Sequence, residues 1–224
     1  MSERKQTRRY GAVPLLLLAL GVLPQGPAAA APLTVVVLDR DGNPVPDVAV
    51  YADETAGDQA PATEQRAIMD QVDTRFVPHV LVIREGTLVD FPNSDITAHH
   101  VYSFSKPNDF MLPLYKGDAH PPVRFEHEGL VTLGCNIHDQ MLAYILVVNS
   151  DIFGKTDEAG RVRLDAEDRQ SLSINIWSPR IKARDETLTQ SVELGERTEL
   201  IFRLHGRLRP PHDSDTGGVQ WSDY

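Results

Sequence analysis

The chain has 224 residues and a formal net charge of −10, with ordinary proportions of charged and apolar residues. That length suits one large domain or two small ones. The acidic balance disfavours nucleic acid as a partner, because phosphates are bound by clustered Lys and Arg.

The first thirty-one residues read as a secretory signal peptide. A basic head (Arg4, Lys5, Arg8, Arg9) precedes an apolar run over 13–23 and the small residues Ala28 to Ala31. The run is shorter than the roughly 20 residues that span a bilayer. The mature chain is therefore expected in the periplasm, without stable membrane insertion. Cleavage removes four basic residues and one acidic one, leaving the remainder more acidic still. Such a surface suits solubility and steering toward a basic partner.

Beyond the leader, β-branched residues alternate with polar ones, which predicts strands rather than helices. Residues 33–38 and 45–51 read as strands around the turn formers Asp39 to Pro44. Residues 53–65 read as a loop. Strands follow over 80–83, 87–91 and 99–104, with turns at Glu85-Gly86 and 92–95. The proline-rich stretch 105–122 reads as irregular. Short strands are expected over 123–125, 130–133 and 143–149, and further ones over 162–164, 172–177 and 199–204. The tail from Arg207, with its prolines, glycines and aspartates, is expected to be disordered. The turns at 39–42 and 156–160 are similar acidic-glycine sequences. They lack the ligand ladder of a calcium loop.

There is one cysteine, Cys135. No internal disulfide is possible, and a lone thiol in an exported chain needs an explanation. Its surroundings supply one. In Leu133-Gly134-Cys135-Asn136-Ile137-His138-Asp139-Gln140-Met141 a thiol, an imidazole and a thioether recur at three-residue steps, on a loop between two strands. This is a soft donor set, which favours copper over hard cations. A fourth donor must come from elsewhere, and Asp95 to Val101 offers a histidine at the mouth of a strand. Neighbours on a strand face opposite ways. His99 shares a face with Val101 and Ser103; His100 shares the larger apolar face with Tyr102 and Phe104. A cysteine nucleophile paired with His138 would need a third orienting group and an oxyanion hole. Nothing in the sequence supplies them, so an enzyme is not expected.

Residues 76–148 resemble the small blue copper proteins, the plastocyanin and amicyanin (cupredoxin) family. The likeness runs from Phe76-Val77-Pro78 through 82–93 to His99, and resumes from Phe125 through Gly134 to Cys135. The compact Cys-x-x-His-x-x-Met loop resembles that of amicyanin. The resemblance implies an all-β, Greek-key β-sandwich. It also implies one type 1 copper held by His99, Cys135, His138 and axial Met141. The step from Asn93 to the first histidine favours His99 over His100. The family usually has Pro before that histidine and Asn after it, tying the ligand loops together. Here Ala98 and His100 stand at those two positions.

The flanks, residues 32–65 and 150–206, resemble a transthyretin-like or carboxypeptidase-regulatory β-sandwich. The expected architecture is a cupredoxin domain over 66–149 inserted into this smaller sandwich, with a tail over 207–224. The implied function is single-electron transport between redox proteins, with a cytochrome or a dehydrogenase (as in methylamine utilization) as partner. A copper carrier or store, and a metal-free β-sandwich binding module, are the alternatives.

Overall fold

A computed structural model describes residues 32–53, 65–117, 120–166, 169–182, 187–194 and 199–212. Residues 1–31, expected to be a signal peptide, most of the 53–65 loop and the tail beyond 212 lie outside these residues. Every regular element described is a β-strand. No helix among the described residues is long and apolar enough to cross a membrane.

Two strands open the fold, β1 (Leu33–Leu38) and β2 (Ala49–Ala52). A central block follows: β3 (Arg66–Ile68), β4 (Asp70–Val72), β5 (Arg75–Val77), β6 (Val80–Arg84), β7 (Leu88–Asp90), β8 (His99–Ser103), β9 (Phe110–Tyr115), β10 (Val123–Arg124), β11 (Gly129–Gly134) and β12 (Leu142–Val148). The chain ends in β13 (Phe153–Lys155), β14 (Arg161–Leu164), β15 (Ser171–Trp177), β16 (Thr187–Glu193) and β17 (Glu199–Arg203).

In the central block the five-stranded sheet β6-β12-β11-β8-β9 faces the small sheet β10-β7-β3. Val89, Val101, Leu133 and Ile145 from these sheets, with Phe76 and Phe125 beside them, form one core. Burying such large apolar side chains contributes about 1.5–3 kcal/mol each. Parallel pairing of β6 with β12 and of β3 with β7 needs connections that cross between layers, since only antiparallel neighbours close through tight hairpins.

The outer strands form sheets β14-β1-β17 and β13-β2-β15-β16, with a core of their own built on Leu33, Val35, Val50, Ile174, Ile176 and Phe202. A third cluster, centred on Val80, Leu146, Val148, Ala49 and Trp177, packs the two sets of strands against each other. The Arg84–Asp151 ion pair, with Arg84 buried, sits where the chain passes from one to the other.

The matching turns share one hydrogen-bond pattern. Asp39 Oδ1 accepts from the amides of Asp41 and Asn43, and Asp157 Oδ1 from those of Ala159 and Arg161. At the second turn Gly160 has φ +67°, and a Cβ there would stand 2.7 Å from the Val37 carbonyl oxygen and 2.9 Å from the Val45 nitrogen. Backbone cannot move aside as a side chain can. Gly160→Ala is expected to lower stability by about 2 kcal/mol or more, seen as an earlier midpoint in urea unfolding.

One expectation is corrected. Residues 105–122 are not wholly irregular: β9 runs through them as the edge of the five-stranded sheet, pairing with β8. His99 pairs with Tyr115 but Val101 with Leu112, so β9 carries an extra residue beside Pro113. A proline lacks an amide to donate, and an edge-strand bulge is where a sheet tolerates it. Strands β3, β4, β13 and β16 also go beyond those expected. Residues 207–212, expected in the tail, are held by the Arg209 amide, which donates to the Arg180 carbonyl at 2.7 Å.

Candidate metal centre

The hairpin β11–β12 positions three of the four residues. The two strands pair up to Gly134 and Leu142, so residues 135–141 form the closing loop. The Met141 amide donates to the His138 carbonyl at 3.0 Å, curling the loop so that Cys135, His138 and Met141 turn toward its inside. Cys135 and Met141 are buried and belong to the central core. Both line one cavity of about 520 Å³, together with Tyr102, Phe104 and Asp139. His138 is half-buried.

His99 comes from the start of β8 and is fully buried. The register question left by the sequence is answered here: His99, Val101 and Ser103 face inward, while the more apolar face of Tyr102 and Phe104 is turned out. Phe104 is 73 % exposed. Gly134 makes room for this arrangement, since a Cβ on it would lie 2.8 Å from the Tyr102 ring.

The structure brings His99, Cys135 and His138 together. Their donor atoms all lie within 4.8 Å of one another. His99 Nδ1 is 3.1 Å from His138 Nδ1, and Cys135 Sγ is 4.0 Å from His138 Nδ1. Nitrogen donors about 2.0–2.1 Å from one ion at trigonal angles stand about 3.5 Å apart. The observed spacing therefore suits a single transition-metal ion, and the cluster can hold one.

Asp95 has a role that the sequence did not single out. Its Oδ2 accepts from His99 Nε2 at 2.9 Å and from the Thr74 amide at 2.7 Å; its Oδ1 accepts from the amides of Ile96 and Thr97. Burial alone would push this carboxyl upward, but the hydrogen bonds from His99, Thr74, Ile96 and Thr97 outweigh it and hold the pKa at about 2. Asp95 is thus a carboxylate at neutral pH. It fixes the proton of His99 on Nε2 and leaves Nδ1 as the donor toward the cluster.

Asn93 anchors this loop. Its Nδ2 donates to the carbonyls of Thr97 and Tyr115, both at 2.9 Å, and its Oδ1 accepts from the Asp95 amide at 3.0 Å. These bonds fix the loop before His99 onto β9 rather than onto the 135–141 loop. The only sequence signal was the turn-former run Pro92 to Asp95.

No protein-family model matches the chain, and no curated protein matches it. Solved structures do. A purple cupredoxin from Nitrosopumilus maritimus is 21% identical over 38% of this chain and 100% of its own, with a TM-score of 0.32. The amicyanin of Paracoccus versutus is 18% identical, over 44% of this chain and 97% of its own, with a TM-score of 0.33. The copper-containing nitrite reductase (NirK) of Thermus scotoductus is 22% identical over 50% of this chain, with a TM-score of 0.36. That match takes in 28% of the reductase. The unit carrying the cluster is an all-β sandwich with the donor atoms of His99, Cys135 and His138 gathered beside its core.

Proposed function

We propose that the protein is an exported type 1 copper protein that carries single electrons between redox partners. The observation that carries this reading is the convergence of donor atoms of His99, His138 and Cys135 within 4.8 Å, with buried Met141 lining the same cavity as the thiol. Two imidazoles, a thiolate and a weak thioether form a donor set that suits both Cu(II) and Cu(I). When bound, copper would supply the one-electron chemistry. The residues supply a donor set of buried His99, Cys135 and Met141 with half-buried His138.

The half-buried His138 is the natural conduit. Its Nδ1 faces the cluster, so the opposite ring edge is directed away from it. The acidic chain favours a basic redox partner, such as a cytochrome or dehydrogenase. The two separate cores support the division proposed from sequence, with residues 66–149 inserted into a smaller sandwich made by 32–65 and 150–206.

The test is the visible spectrum of the mature protein with added Cu(II), before and after mild reduction. An intense blue band that bleaches and returns without copper loss is the expected result. Release of copper to an apo-acceptor on reduction would point instead to a carrier. A protein that takes up no copper would overturn the reading in favour of a metal-free binding module.

A further inference from the structure

We infer that a second site, where the two sandwiches meet, binds a small, multiply charged anion bearing phosphate or carboxylate groups. The cavity has a volume of about 580 Å³, in the range of about 300–1,000 Å³ typical of small-molecule sites. Its walls come from stretches far apart in sequence: His79 before β6, Tyr144 in β12, Arg180 and Lys182 after β15, and Arg209 and His212 near the end of the described chain.

The charge pattern is the main argument. The whole chain carries −10, yet among the described residues three cations and no carboxylate line this cavity. Among the described residues, none of the three cations forms an ion pair. Three like charges gathered in one concavity repel one another unless an anion joins them, and a concave surface concentrates their field.

The guanidinium groups are also set in place. Arg180 Nε donates to the Arg209 carbonyl at 3.2 Å, and Arg209 Nη1 to the Pro179 carbonyl at 2.7 Å. Each bond uses one of five N–H groups. The remaining donors keep the fork geometry that grips phosphate or carboxylate through two bonds. On another wall the His79 ring is fixed by its Nδ1 contact to the Leu142 carbonyl at 3.0 Å. It stacks on His212 with ring centres 5.2 Å apart and meets the edge of Tyr144 at 5.5 Å. Such a wall shapes the cavity without adding negative charge.

The site does not depend on the metal, so the test uses the metal-free full chain. Pyrophosphate and citrate are titrated calorimetrically at low salt. Saturable one-site binding of either is expected, and the tighter of the two assigns the phosphate or the carboxylate class. Arg180→Ala and Arg209→Ala should each weaken binding at least tenfold. Lys182→Ala, which removes an exposed side chain, should weaken it with no change in melting temperature. Lys106→Ala, on the far exposed loop and paired with Asp109, should leave it unchanged. Absence of saturable binding, or an equal loss in the Lys106 variant, would overturn the proposal.

Discussion

Asp95→Asn is expected to raise the reduction potential of the copper-loaded protein by about 100 mV and to weaken Cu(II) binding about 10–100-fold. The carboxylate contacts His99 Nε2 at 2.9 Å, while the Nδ1 on the other side of the same ring points to the cluster. Its negative charge makes the imidazole a stronger donor and favours the more highly charged metal ion. Asparagine retains an oxygen that can accept the same proton but carries no charge. Cu(II) then loses more than Cu(I), so the potential moves up. Voltammetry measures the shift, and competition with a chelator measures the affinity. An unchanged potential would mean that the Asp95 charge does not reach the metal through His99.

Cys135→Ser should remove the intense visible band altogether. It should also weaken Cu(I) binding by more than the about 10–100-fold expected from losing a supporting residue. The thiolate is the one strongly covalent soft donor among the four residues. The fold should survive, because Ser is close to Cys in size. Cys135 is only 4 % exposed, so the buried hydroxyl costs about 1–3 kcal/mol. Circular dichroism and a melting curve of the metal-free variant check this, and the copper spectrum checks the site. A Ser variant that keeps the blue band would exclude Cys135 as the thiolate donor.

Some of this arrangement was legible in the sequence because it is local. Cys135, His138 and Met141 lie in one short loop, and a loop closing a hairpin must gather its own residues whatever surrounds it. The strands β1, β6, β7, β8, β12 and β15 were legible from their alternating apolar residues, because the pleat puts every second side chain into a core. The acidic-glycine turns announced themselves through Asp39 and Asp157, whose side chains bond amides only a few residues away.

Long-range features were not legible. Alternation alone leaves two candidate faces for β8. The more apolar one, with Tyr102 and Phe104, proved to be the outer face, because pairing with β9 and β11 and the hold of Asp95 commit His99 to the interior. Strand β9 was hidden by Pro113, which reads as a breaker until a partner strand absorbs it in a bulge. Asp95 is one acid among 32 Asp and Glu, and nothing beside it in the chain marks it out. The cationic cavity joins Arg180 and Lys182 to Arg209 and His79, residues that no sequence spacing relates. The sequence by itself determined the donor chemistry of the hairpin loop and the all-β character, since both follow from neighbours along the chain. Only the tertiary structure decided which histidine faces the thiol, which carboxylate holds it and where the cations meet, because those depend on which strands lie side by side.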